Sequence, residues 1–259
     1  FTRDWRLRQT NLFDGSDRAL KTLNTHMHLM EALANLCDAS GDEAHRQGLN
    51  HVFDLILGHC IDHQHDFAYE PYDLDFDPMP TSENGWVTSY GHNVELAWLL
   101  LDASRVLGMD PALIAEPVRG LVNHAMRHGS APADGVLTTL GPGVGSPWNH
   151  PKRYPLHEAG WWEQAEWLIA LLEAYRLDPD EIYLEAFHRS LRQVFERQID
   201  SRHGGWFAFV HRVTGEPLMT AKGKDGWKGP YHNGRSLMFT ARLIKAIFLE
   251  PSPTQRPQP

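Results

Sequence analysis

Residues 161–194 read WWEQAEWLIALLEAYRLDPDEIYLEAFHRSLRQV, and this stretch decides the fold. From Trp167 to Leu172 apolar side chains occupy nearly every face of a helix, the pattern of a buried one. After Leu177-Asp178-Pro179 the pattern changes. Tyr183, Phe187, Leu191 and Val194 recur at helical spacing on one stripe, which suits a surface helix packed on something inside it. The turn between offers Asp178 as N-cap and Pro179 as first helical residue. Related turns lie upstream at Ser40-Gly41-Asp42 and Gly108-Met109-Asp110-Pro111, so the aspartates fall at 42, 110 and 178, 68 residues apart both times. The flanks repeat in kind. Leu29 to Leu36 and Leu96 to Leu101 read as buried helices. Leu49, Val52, Phe53, Ile56 and Cys60 form one surface stripe, and Ile114, Val118, Leu121, Val122 and Ala125 another. A last apolar helix from about Asn233 to Leu249 makes seven. Inner and outer helices alternating in pairs describe an all-α (α/α) toroid, in which inner helices form a ring and outer helices clad it.

The connections at about 65–89, 130–157 and 200–230 exceed the ~12–15 residues of a passive loop and are expected to build a site at one rim. Within the last, residues 205–218 carry Trp206, Phe207, Phe209 and Val210 with a Thr214-Gly215 turn, a small hairpin. Residues 1–249 are expected to form one barrel domain and the Pro-rich 250–259 a disordered tail.

Composition narrows the partners. Lys plus Arg number 24 against 33 Asp plus Glu, a net charge of −9 with no basic run, which argues against nucleic acid and anionic membranes. No apolar stretch reaches the roughly 18 residues of a membrane span. Cys37 and Cys60 cannot make a disulfide framework, which points to a reducing, cytoplasmic compartment. The chain begins with Phe1 rather than Met.

Polar groups near the starts of buried helices are the informative ones. Asn24 and His28, His92 and Glu95, and Trp162 and Glu166 each share a helix face at i, i+3 or i, i+4. A fourth inner helix is introduced by Trp227-Lys228-Gly229-Pro230-Tyr231-His232-Asn233-Gly234-Arg235. In a toroid these starts converge at one end of the central cavity. Trp162 and Trp227, flanked by polar residues, suit platforms that stack on a sugar ring. His59, His63 and His65 with Asp66 have a zinc-like spacing but no zinc-protease Glu, and a metal site is not expected there. Asp73, Asp75 and Asp77 read as a solvated acidic loop rather than a calcium site. No Gly-rich phosphate loop or nucleophile elbow is present.

These motifs resemble the N-acylglucosamine 2-epimerase superfamily, and within it the cellobiose 2-epimerases. The segments are Leu23-Asn24-Thr25-His26-Met27-His28, Ser89-Tyr90-Gly91-His92, Trp161-Trp162-Glu163-Gln164-Ala165-Glu166, Gly204-Gly205-Trp206-Phe207 and Trp227-Lys228-Gly229-Pro230-Tyr231-His232-Asn233, in family order from about residue 20 to 249. The resemblance implies an (α/α)6 barrel and inversion at C2 of a reducing-end aldose, with His92 and His232 as proton carriers. It further implies Glu95 and Glu166 as the carboxylates that orient them. Asn24, His28, Tyr90, Trp162 and Trp227 would be the substrate-binding residues. The substrate would be a disaccharide or monosaccharide aldose, and no metal or organic cofactor is implied. Asn93 stands where the family commonly has Asp. At 68 residues per pair, 259 residues hold about four of six pairs, so the N-terminal helices and an active-site Arg they carry have no counterpart. An open ring is expected to expose inner-helix sides and self-associate. The alternatives are an N-acylglucosamine 2-epimerase or mannose isomerase-like enzyme, an inactive fragment of such an enzyme, and an (α/α)-barrel glycoside hydrolase with Glu95 and Glu166 as its carboxylates.

Overall fold

The structure is a computed structural model that describes residues 21–79, 87–131, 134–145, 156–218 and 228–249. Seven α-helices are present among them: α1 (Leu23–Ser40), α2 (Glu43–Leu55), α3 (Tyr90–Leu107), α4 (Ala115–His124), α5 (Trp161–Leu177), α6 (Glu181–Gln193) and α7 (Pro230–Ile244). Helices α1, α3, α5 and α7 lie side by side as the inner layer. Helices α2, α4 and α6 pack outside them. The arrangement is an arc of an (α/α) barrel, with its core between the two layers.

Local chemistry explains where each helix begins and ends. Thr22 and Ser89 cap α1 and α3 by accepting the N–H of Thr25 and His92, both at 3.2 Å. Gly41 and Gly108, at φ of 64° and 72°, end them in the left-handed conformation that costs glycine least. Asp42 then caps α2, and Asp110 caps a 3-10 turn with Pro111 at its first position. The third turn departs from expectation. Asp178 ends α5 in an extended conformation because Pro179 follows it, and Asp180 is the cap of α6, through Ile182 N–H. The aspartate caps therefore fall at 42, 110 and 180.

Every outer helix ends in a five-residue π-helical turn, at Ile56–Cys60, Ala125–Gly129 and Val194–Gln198. Each turn leads into an antiparallel bridge between residues seven positions apart: Ile61 to Ala68, Ser130 to Leu137, Ile199 to Trp206. Short antiparallel strands then tie each helical hairpin at its base. Thr22 pairs with Pro71, Ser89 with Leu140 and Gly160 with Phe209. The residue that caps, or immediately precedes, α1, α3 and α5 is thus held by the strand that follows its outer partner. The expected hairpin forms over 209–218, where His211 N–H meets the Glu216 carbonyl at 2.8 Å and Gly215 turns the chain.

Helices α3 and α5 are buried on almost every face, as their sequences require. Helix α1 is not. It buries Leu23, Met27, Met30, Ala34 and Cys37, but Leu29 and Leu36 remain 46% and 44% exposed. Helix α7 mirrors it, with Leu237 and Met238 exposed. Among the described residues α1 and α7 each pack beside one inner helix only, α3 and α5 respectively, which leaves these side chains uncovered. The 250–259 tail lies outside the described residues. None of the described helices is long and apolar enough to cross a membrane.

Candidate active site

Counting from the residue that precedes each inner helix gives the site its logic. Thr22, Ser89, Gly160 and Gly229 hold that place in α1, α3, α5 and α7. Three residues later stand Thr25, His92, Glu163 and His232. Six residues later stand His28, Glu95, Glu166 and Arg235. His28, His92, Glu95, Glu166, His232 and Arg235, all at these positions, come together at one rim. A cavity of about 250 Å³ opens there, lined by Asn24, His28, His92, Glu95, Trp161, Trp162 and His232.

His92 and His232 flank the Trp162 ring, with centroid distances of 5.0 Å and 5.5 Å. Trp162 reaches this place because residue 91 is glycine. A Cβ on Gly91 would stand 2.5 Å from Cη2 of Trp162 and 2.8 Å from Cγ of Glu163. Each imidazole is held through Nδ1. His232 donates to Glu166 Oε1 at 2.7 Å, and His92 donates to Glu70. That leaves the Nε2 of each ring for chemistry, and the Nε2 of His92 lies 3.2 Å from the Asn24 amide. Burial alone would depress the His92 pKa, but the Glu70 carboxylate outweighs it and raises the value to about 9.

The carboxylates form one network. Arg235 Nη2 donates to Glu95 Oε1 (2.7 Å) and Glu166 Oε1 (2.8 Å), and its Nη1 donates to Glu31 Oε1 (2.6 Å). Trp98 Nε1–H donates to the other Glu166 oxygen at 2.8 Å. Burial and the Glu166 charge push the Glu95 carboxyl above the usual range. His28 donates to Glu31 at 3.0 Å, and this contact raises its pKa against the effect of burial. Tyr231 also donates to Glu31, joining α7 to α1 across the cavity.

The structure brings together Asn24, His28, His92, Glu95, Trp162, Glu166 and His232. Two expectations need correction. Tyr90 is not a cavity residue: it is fully buried, packed against His124 and so close to Gly129 and Gly141 that neither position has room for a Cβ. Its register on α3 turns it outward into the core. Glu95 does not orient His92; its partner is Arg235, and it lies 3.9 Å from His232. Trp227 lies outside the described residues. Asn93 clips the loop to α3, accepting Ala68 N–H and donating to Thr88, both at 3.0 Å, a role that needs no charge.

Glu70, Glu31, Glu163 and Arg235 were not singled out from sequence. Arg235 and Glu163 sit at the repeat positions already noted. Glu70 has a subtler signal. Its carbonyl accepts the N–H of Leu23, as that of Thr139 accepts from Tyr90 and that of Ala208 from Trp161. The loop residues 70, 139 and 208 therefore meet inner-helix starts at a constant 69-residue step.

The other titratable clusters do not converge. His63 meets the Leu57 carbonyl, His65 meets Asp62, His59 lies against Phe76 and Asp66 pairs with Arg127. Asp73 accepts the N–H groups of Asp75 and Asp77 and so closes its own turn. Among the described residues the one group with metal-ligand spacing is Glu95, Glu166 and His232, within 4.8 Å. Arg235 already donates to both of its carboxylates.

With this geometry in view, the profile of the N-acylglucosamine 2-epimerase family matches residues 3–233. The chain belongs to that family. Relatives include the cellobiose 2-epimerases of Bacteroides fragilis, 30% identical over 236 residues, and Ruminococcus albus, 30% identical over 250. The matches cover 90% and 92% of this chain and 57% and 58% of those proteins. The solved cellobiose 2-epimerase of Spirochaeta thermophila superposes with a TM-score of 0.74 at 27% identity, over 88% of this chain and 53% of that one. The chain thus spans little more than half the length of the relatives it matches. Seven helices in this arc correspond to a partial (α/α)6 barrel.

Proposed function

We propose that the protein is a sugar 2-epimerase acting at C2 of the reducing-end glucose of cellobiose or a related β-1,4-disaccharide. The observation that carries this reading is the pair of histidines packed against Trp162 at the cavity, each fixed through Nδ1 by its own carboxylate.

Inverting a C2 centre needs two proton carriers. The C2 proton is acidic only in the open-chain sugar, where C1 is an aldehyde. One imidazole takes that proton, giving an enediolate, and the other returns a proton to the opposite face. A His92 held near pKa 9 enters as the donor, with His232 as acceptor for whichever epimer turns its C2–H that way. The reverse direction exchanges the roles. Asn24 and His28 reach the O1/O2 edge and stabilise the charge developing there. Trp162, and Trp227 by family resemblance, stack on the sugar units. All the protons moved are carried by imidazoles, so the proposal calls for no metal or organic cofactor. Return of the proton to C1 instead of C2 gives a ketose, so a minor isomerase activity belongs to the same chemistry.

The glycoside hydrolase alternative finds less support. Glu166 is fully buried, and both its oxygens already accept hydrogen bonds, from Trp98, His232 and Arg235. Self-association is part of the proposal too, through the exposed Leu29, Leu36, Leu237 and Met238. Sedimentation over a range of protein concentrations tests it.

The deciding experiment is incubation with cellobiose in D2O followed by proton NMR. The expected product is the mannose-terminated disaccharide carrying deuterium at C2. Release of glucose would favour the hydrolase, and unlabelled sugar recovered unchanged would reject the epimerase.

A further inference from the structure

Glu163 is the residue at the His92 and His232 position of its own repeat, yet the mechanism above does not use it. It is completely buried. Its Cγ packs over Gly91, the residue before His92, and its Oε2 lies over Gly160, where a Cβ would stand 2.1 Å away. The Thr139 side chain approaches the carboxyl group, but neither oxygen has a hydrogen bond of acceptable geometry. A charged carboxylate does not stay in such a place without compensation, and the compensation on hand is imidazolium. The charged groups that act on it are His92 on α3 and His232 on α7; His92 is bonded in turn to Glu70, and His232 to Glu166.

We infer that Glu163 is a positioning residue whose buried carboxyl group, seated behind the first turns of α3 and α5, adds to Glu70 in governing the pH at which His92 changes charge. The inference rests on reading His92 as a proton carrier, but its test does not depend on turnover. Burial holds the Glu163 carboxyl up to about 7, so it ionises in the range where imidazoles exchange protons. Below that pH it is neutral and leaves His92 to Glu70. Above it the new negative charge holds the His92 proton more firmly.

Two measurements test this. In the wild-type protein, a 13C titration of the Glu163 carboxyl carbon should show a midpoint near neutrality rather than in the usual acid range, with a second inflection at the same pH in the His92 ring resonance. In Glu163→Gln, which keeps size and shape, the His92 midpoint should fall by about one pH unit, the scale of a nearby opposite charge. The alkaline limb of C2 exchange should move with it while KM stays unchanged. If the Glu163 carbon titrates in the acid range, or the Gln variant leaves the His92 midpoint where it was, the inference is overturned and the side chain only fills space. Because the wild-type titration needs no substituted protein, a folding failure of the variant does not leave the question open. A normal titration result combined with absent C2 exchange would count against the epimerase reading alone.

Discussion

The Trp98 indole N–H donates to Glu166 Oε2 at 2.8 Å, joining two inner helices through residues 68 positions apart in sequence. The bond completes the hydrogen bonding of a fully buried carboxylate whose other oxygen serves His232 and Arg235. Trp98→Phe keeps most of the ring and removes only the donor. An unsatisfied buried carboxylate oxygen costs about 1–3 kcal/mol. The variant should therefore melt several degrees lower by circular dichroism, and His232, less firmly oriented, should exchange C2 protons more slowly. An unchanged melting temperature would show that water replaces the indole.

The two-histidine proposal makes an asymmetric prediction. His92→Asn and His232→Asn should each abolish epimerisation, a loss of at least about a hundredfold for removal of a general acid or base. Each variant still holds one imidazole on one face of C2. Each should therefore catalyse slow deuterium exchange into one epimer without inverting it, and the two variants should choose opposite epimers. Proton NMR of both sugars in D2O reads this directly. Exchange into the same epimer by both variants would exclude the arrangement.

Glu70→Gln isolates the carboxylate behind His92. His92 ordinarily titrates near 6.5 and is raised to about 9 in the fold. A raised histidine contributes stability that is complete below pH 6.5 and is lost as the pH rises through about 9. The wild-type protein should consequently lose stability across that window, on the order of 3 kcal/mol. The Gln variant should be less stable at pH 7 and show a flatter profile in urea titrations run at intervals from pH 6 to 10.

The sequence disclosed more of the fold than of the site's wiring, for a physical reason. Burial writes itself into periodicity: Leu96–Leu101 and Trp167–Leu172 are apolar all round because helices surround them. Leu29 and Leu36 misled because an apolar residue at the end of an arc looks the same in sequence as one in its middle. His92 and His232 stood out as titratable groups on inner helices. Their partners did not. Glu70 comes from a loop 22 residues away, and its proximity to His92 depends on strand pairing that no local pattern encodes. Asp180 displaced Asp178 as a cap through a proline restriction that is local and could have been read. The motif puts Tyr90 in the cavity, whereas two residues of helical rotation from His92 turn it into the core.

Arg235 carries the last prediction. One guanidinium pairs with Glu31, Glu95 and Glu166 together and lies over the rings of Trp98 and Tyr231. Removing it leaves two fully buried carboxylates without their cation, which for a broken buried pair costs about 3–5 kcal/mol. Arg235→Gln should lower the urea midpoint most at pH 7–8, where Glu95 is most strongly driven to give up its proton. Toward pH 5 the deficit should shrink, because Glu95, already pushed up by burial and by Glu166, takes a proton instead of staying charged. Arg235→Lys supplies the charge but lacks the planar fork that reaches Glu31 with one nitrogen and Glu95 and Glu166 with the other. It should recover part of the stability and little of the C2 exchange rate. Equal loss at pH 5 and pH 8 in the Gln variant would mean that packing against Trp98, rather than charge, is what the guanidinium supplies.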